Sequence, residues 1–378
     1  MSSSSSSFPV IGTHSGTFHC DEALACWMLL RTEKYANATI VRSRDTSILD
    51  KCDCLVDVGG SYDPTKERFD HHQRSFVDTF SENHDIRLSS AGLVYKHYGS
   101  QVVRKLLSDA IESTPPLIDL SSAMIESIKQ TASDEQCIKQ LYAKVYDTFI
   151  KTIDAIDNGV EQFPVPDPSN DQKESWLSAE QHQKLLDQVI HQPRYRIDTD
   201  LSSQVGQLNP LWMEDNSDQH RDVRFQDAME LAGKTFANHV YRIAASYFGA
   251  RKLVSNMIAH NLKNPVHPQI MVFESSCPWK EHLFDAEKNI PLEKPVLYVI
   301  FKSGSWRVQA VPIHTKSFVC RLALPQAWRG LRDQQLSTLS GIDGCVFVHA
   351  SGFIGGNQTK QGAIDMALKS LQQQQQQQ

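Results

Sequence analysis

Along residues 8–60 the chain alternates short apolar runs with stretches of helical spacing. FPVIG (8–12) is a compact apolar run closed by glycine, the pattern of a buried strand. DEALACWMLLR (21–31) then places apolar residues at helical spacing, with acids in the first turn where they favour the helix dipole. TIVRS (39–43) and CLVDVGG (54–60) read as further strands, the second cut by Gly59-Gly60. SSAGLVYKHYG (89–99) reads as a helix with a serine cap and a closing glycine. Strands alternating with helices predict an α/β domain built on a parallel sheet.

Over 134–158, Leu141, Val145, Phe149, Ile153 and Ile156 trace one apolar stripe, and Asn158-Gly159 supplies a stop. One long amphipathic helix is predicted there. PVPDPSNDQKE (164–174) is a proline-rich polar loop, and 223–250 is another helical block carrying Phe225, Met229, Phe236 and Val240. After KNPVHP (263–268) the texture turns β-rich. PVLYVIFKSGSWRVQAVPI (295–313) is two apolar runs around Lys302-Ser303-Gly304-Ser305, a hairpin signal. GCVFVHASGFIGGN (344–357) is a strand entering a glycine-rich bend, with helix-like TKQGAIDMALKSL behind it. A linker near 255–268 divides a first domain, 8–254, from a smaller α+β domain, 266–371. The serine tract (1–7) and the glutamine tract (372–378) cannot bury a core and are expected to be disordered.

Composition narrows the function classes. With 378 residues, two domains are the natural expectation. A net charge of -6 excludes a broadly basic surface, so nucleic-acid binding requires a local basic groove. No apolar run approaches the ~20 residues that cross a bilayer, so no membrane partner is expected. MSSSSSSFPVIG lacks the basic and apolar regions of a secretory signal, and no arginine precedes Arg31, which weakens a mitochondrial presequence. Nucleus and cytoplasm are the expected locations, although no basic import cluster stands out. The eight cysteines are expected to be thiols; no CxxC occurs, and Cys52-x-Cys54 is too tight for ordinary zinc spacing.

The candidate chemistry lies at element ends. In GTHSGTFHCDEALA, His14 directly follows the first strand, and His19 and Asp21 precede the first helix. Ligands of parallel sheets bind beyond the carboxyl ends of the strands, which is where this corner falls. Asp57 ends an apolar run, where an unpaired buried carboxylate is costly. RFDHHQRSF (68–76) concentrates Asp70, His71 and His72 between two arginines, and Asp154 and Asp157 lie three apart on one helix. Taken singly, each also fits an ordinary helix end, loop or strand end. Together they form an oxygen and nitrogen donor set without thiolates, suited to manganese, magnesium or zinc in a hydrolytic site. Asp57 can bridge two cations about 3.5–4 Å apart, with metal-activated water as nucleophile in a phosphoryl displacement. A histidine outside the metal shell can hold or protonate a phosphate oxygen.

IGTHSGTFHCDEALA, FDHHQRSF, IDAIDNGV, WRVQAVP and FVHASGFIGG resemble, in order and over about residues 9–370, the MYG-type family named for the melanocyte proliferating gene, within the DHH/RecJ-like phosphoesterases. The resemblance implies a DHH phosphoesterase domain (8–254) followed by a substrate-binding domain (266–371). It also implies a 3′-to-5′ exoribonuclease of nucleus and mitochondria with two cations, manganese foremost. Carried over by motif, His14, His19, Asp21, Asp57 and His71 bind metal, His19 standing where the wider superfamily has aspartate. Asp157 best matches the last metal motif, with Asp154 the alternative that spacing leaves open. Asp57 and His72 are the catalytic pair, His72 facing phosphate. Asp70 and Arg74 flank them on the substrate side. In the second domain Ser351, Gly352, Gly355 and Gly356 match a glycine-rich substrate loop, where small residues let backbone N–H groups approach a phosphate. Trp306 and Arg307 offer a base-stacking ring and a phosphate contact, or a strand-opening residue packed in the core.

Two positions depart from the family pattern: Ser15 replaces Asn or Asp, and Gln204 replaces arginine, which removes a bidentate phosphate contact. Two other readings stand beside the exoribonuclease. One keeps the site but gives it short oligonucleotides or small phosphorylated molecules; the other is a non-catalytic, metal-stabilised scaffold. Protein partners are not legible.

Overall fold

The computed structural model describes residues 8–112, 117–162, 197–263, 266–289 and 294–375. The serine tract and the proline-rich loop lie outside the described residues. The chain divides into two compact units, Met1–Ala245 and Ser246–Gln378.

The first unit is built on a five-stranded sheet of β1 (Val10–Thr13), β2 (Thr39–Arg42), β3 (Cys54–Val56), β4 (Tyr62–Asp63) and β5 (Arg68–Phe69), in the order β2-β1-β3-β5-β4. β1 pairs in parallel with β2 and β3, and β3 with β5; only the edge strand β4 is antiparallel. The sheet is therefore mixed, with a parallel core. Its helices are α1 (Cys20–Leu29), α2 (Thr46–Leu49), α3 (Ser90–Glu112), α4 (Ser122–Ala132), α5 (Glu135–Val145), α6 (Lys151–Asp157), α7 (Leu201–Gly206) and α8 (Asp218–Arg242). α1 is apolar on all sides after its opening acids and is buried at every position, packed against α3 and α8.

The second unit carries α9 (Gly249–Lys263), β6 (Ile270–Phe273), α10 (Trp279–Asn289), β7 (Tyr298–Ser303), β8 (Ser305–Ala310), α11 (Asp333–Ser340), β9 (Cys345–Val348), β10 (Ile354–Asn357) and α12 (Lys360–Gln375). Its sheet runs β6-β7-β8-β10-β9, parallel only between β6 and β7. The β7–β8 hairpin turns at Gly304, whose φ of 71° suits glycine. One apolar cluster lies under β8, α11 and α12, and another joins β6, β7, α9 and α10. Among the described residues no helix is long and apolar enough to cross a membrane, and no disulfide joins the eight cysteines.

Five expectations need correction. The single helix expected over 134–158 is interrupted by a π turn over Tyr146–Ile150. Gly99 does not end α3, which continues to Glu112; a side chain at 99 would meet the Tyr95 ring, so this glycine makes room for a neighbour. The stretch expected to be linker is helical through Lys263, because Val254 and Ile258 of α9 are buried in the second unit's core. HASGFIGG is a β9–β10 hairpin in which Gly355 and Gly356 are buried strand residues. The glutamine tract is helical through Gln375, continuing α12.

Candidate metal centre

Three strand ends deliver the site. His14 follows β1, Asp57 follows β3, and Asp70-His71-His72 follows β5. Because these strands are parallel, their carboxyl ends share one edge of the sheet. Asp57 sits at φ 57°, a left-handed conformation that costs a non-glycine residue on the order of 1–2 kcal/mol. The first turn of α1 adds Asp21 and Glu22, and the end of α6 adds Asp157. His14, Asp21, Asp57, Asp70, His72 and Asp157 border a cavity of about 730 Å³ in the first unit, lined also by Ser202, Ser203 and Gly206 of α7.

The Asp57 carboxylate is the centre of the geometry. Its Oδ2 lies 3.3 Å from His14 Nε2, and its Oδ1 lies 3.4 Å from His71 Nε2. His14 Nε2 is also 3.1 Å from Glu22 Oε1, and His71 Nε2 is 3.1 Å from Asp157 Oδ2. Three donor groups result, each with ligand atoms within 4.8 Å of one another: His14, His19, Glu22 and Asp57; Asp57, His71 and His72; and Asp21, His71 and Asp157. Asp57 and His71 are each shared between two groups, so adjacent cations could use a common ligand.

Burial sets the electrostatics. Burial alone would lower the pKa of His14, but the Asp57 and Glu22 carboxylates raise it to about 10. His71 is likewise raised to about 10 against burial, by Asp157 and Asp57. Burial pushes Asp57 up, yet its two histidines outweigh that and hold it far below the usual carboxylate range. Asp21, 1% exposed, is driven well above the usual range by burial and by Asp57, Asp157 and Glu22. Its Oδ1 is buried without a hydrogen-bond partner among the described residues. Crowded acids, an orphaned oxygen and neutral-capable imidazoles fit divalent cations: oxygen and nitrogen ligands, with the positive charge the cluster lacks.

Asp154 and Asp157, which spacing left as alternatives, have different surroundings. Asp154 is fully buried; its Oδ1 accepts from Ser89 N (2.9 Å) and Ser89 Oγ (2.7 Å), and its Oδ2 from Tyr146 OH (3.1 Å). Asp157 faces His71 and the cavity. Asp70 also engages within the chain: Gly60 N donates to its Oδ2 at 2.6 Å, and His72 N to its Oδ1 at 3.0 Å. His72 Nδ1 lies 2.8 Å from that same Oδ1. The His72 side chain is 64% exposed, and this pairing leaves Nε2 for a substrate. Arg74 stands exposed just beyond.

The sequence reading missed Glu22, Ser90 and Arg44. Glu22 accepts from His19 N at 2.9 Å while facing His14. Its signal was present: a helix apolar on every side buries its opening acids too, and buried acids need partners. Ser90 Oγ donates to Asp57 Oδ1 at 3.0 Å, and Arg44 Nη2 lies 3.3 Å from His14 Nδ1. At the two departures, Gln204 Nε2 donates to Thr199 O, and Ser15 O accepts from Arg44 Nε.

The remaining candidates belong to the second unit. Arg307 lies 5.0 Å over the Phe347 ring, with a buried Nη1 that has no hydrogen-bond partner among the described residues. Gly356 lies beside it: a Cβ there would come within 2.7 Å of that Nη1. Trp306 is half-buried against the core, with Lys360 Nζ 5.4 Å from its ring centre. Ser351 is exposed at the hairpin tip, bonded to His349, and Gly352 takes a φ of 75°.

The sequence model of the family MYG1_exonuc, described as "Uncharacterised protein family (UPF0160)", matches residues 10–371. A "MYG1 protein" of Dictyostelium discoideum is 40% identical over 365 residues, covering 96% of each chain. A "MYG1 protein" of Schizosaccharomyces pombe is 42% identical, covering 96% of this chain and 97% of its own. The "MYG1 exonuclease" of Homo sapiens is 39% identical over 373 residues, covering 97% of this chain and 86% of its own.

Proposed function

Since the chain belongs to the MYG1_exonuc family, we propose that it is a divalent-cation-dependent phosphodiesterase, specifically a 3′-to-5′ exoribonuclease. The observation that carries the reading is the Asp57 carboxylate, whose two oxygens face two different histidines, His14 and His71. A buried acid placed between two donor groups suits a bridge between two cations. The relatives named exonucleases support nucleic acid as substrate; RNA and the polarity follow from the family resemblance.

His14, His19, Glu22 and Asp57 would hold one cation and Asp21, His71 and Asp157 another, with Asp57 and His71 also grouped with His72. Manganese is favoured, with magnesium and zinc as alternatives. Such cations would supply Lewis-acid polarisation of the phosphodiester and a nucleophile at neutral pH. The chain's own part is to fix the donors and to serve the substrate. His72, oriented by Asp70, holds or protonates a phosphate oxygen. Arg307, with Trp306 and the Ser351–Gly356 hairpin, engages the polynucleotide.

The test uses RNA of graded length with manganese, with and without a chelator. Release of mononucleotides from long RNA, abolished by the chelator and restored by added metal, is expected. The net charge of -6 favours a second reading with short oligonucleotides as substrates. Turnover confined to oligomers of a few nucleotides would establish it instead.

A further inference from the structure

We propose that the Ser89-Ser90 step opening α3 is a positioning device for the cation-binding carboxylates. This rests on the reading of the site as a cation centre. Two consecutive residues, both fully buried, make four hydrogen bonds to acids on three separate parts of the chain. Ser90 Oγ donates to Asp57 Oδ1 at 3.0 Å, and Ser90 N to Asp21 Oδ2 at 3.3 Å. Ser89 N and Oγ donate to Asp154 Oδ1 at 2.9 and 2.7 Å. Asp154 lies one helical turn before Asp157 on α6, so holding it fixes where Asp157 meets His71.

The two Ser90 bonds each engage one oxygen, Asp57 Oδ1 and Asp21 Oδ2, and leave its companion oxygen toward the donor groups. Asp57 keeps Oδ2 toward His14, and Asp21 keeps the orphaned Oδ1. Asp21 and Asp57 belong to different donor groups, so Ser90 sets their rotation with respect to each other. An oriented carboxylate needs no reorganisation when the cation arrives; one free to rotate must be ordered at that moment. The simpler alternative is that both serines only begin α3, satisfying its first turn. The two roles differ in what they change: a cap supports folding, whereas a positioning contact supports cation affinity.

Calorimetric titration of the full chain with Mn²⁺, alongside thermal unfolding of the chelator-treated protein, separates them. Ser90→Ala should weaken Mn²⁺ binding by roughly 10–100-fold, the usual effect of losing a group that orients a ligand. Ser90→Thr, which keeps the hydroxyl, should restore affinity. Ser89→Ala should weaken it less, since Ser89 N and Tyr146 OH still hold Asp154. Wild-type affinity in Ser90→Ala, with only a lower melting temperature, would overturn the proposal. If Ser90→Ala fails to fold, unchanged affinity in Ser89→Ala overturns it equally. A wild-type chain that binds no Mn²⁺ removes the cation centre itself, and this proposal with it.

Discussion

At the scale of single residues, Asp57 is the most exacting position. Asparagine tolerates the left-handed backbone that Asp57 adopts, so Asp57→Asn should fold normally. It removes the charge that faces both histidines. Losing ~4 kcal/mol of cation-borne transition-state stabilisation corresponds to roughly a 10³-fold fall in turnover. Circular dichroism and kinetics on one preparation check both halves. A second prediction concerns protons. An unfolded histidine titrates near 6.5, whereas His14 and His71 hold their protons to about 10 in the cation-free fold. Their ion pairs therefore contribute fully below about pH 6.5, and that contribution is lost as pH rises through 10. The chelated protein should melt at falling temperature between pH 7 and 10. A cation must displace those protons, so Mn²⁺ binding should release about two and tighten as pH rises. Calorimetry in buffers of different ionisation enthalpy counts them. Most of these residues were legible because acids and imidazoles at strand ends are costly unless used. Ser90 and Ser89 were not, since a serine pair before a helix signals only a cap.

Among elements, the α5–α6 rod shows where periodicity fails. Its start at Asp134 and stop at Asn158-Gly159 were readable, and Leu141, Val145 and Ile153 are buried as the stripe requires. A π turn over Tyr146–Ile150 interrupts it. The extra residue advances the helix by one position, about 100° of rotation. Ile156 is consequently 46% exposed, while Asp154 enters the buried face. No propensity announces such a turn, so spacing left Asp154 and Asp157 undecided. Close approach of α3 to α6 depends on Gly92, where any side chain would collide with the Asp154 carboxylate. Gly92→Ala should cost about 1–3 kcal/mol by overpacking and also weaken Mn²⁺ binding, because Asp157 moves with α6. Denaturant melts and metal titration report the two effects separately.

For the whole molecule, alternation of strand and helix indicated the parallel core of the first sheet, since βαβ connections force it. The antiparallel edge strand β4, of two residues, is too short to register as a period. The expected linker near 255–268 overlaps α9, which packs in the second unit's core, a tertiary fact that composition does not carry. If the second unit serves the polynucleotide, Arg307→Ala should raise KM for RNA roughly tenfold, the worth of one charge-assisted hydrogen bond, and leave Mn²⁺ affinity unchanged. The convergence of His14, Asp57, His71 and Asp157 in one cluster is the claim on which the reading of function depends. It is tested most directly by incubating 5′-labelled and 3′-labelled RNA with Mn²⁺ and either the wild-type chain or Asp57→Asn. The prediction is a descending ladder from the 5′ label, immediate release of labelled mononucleotide from the 3′ label, and neither with Asp57→Asn. Intact RNA with the wild type, or equal cleavage by both proteins, would contradict it.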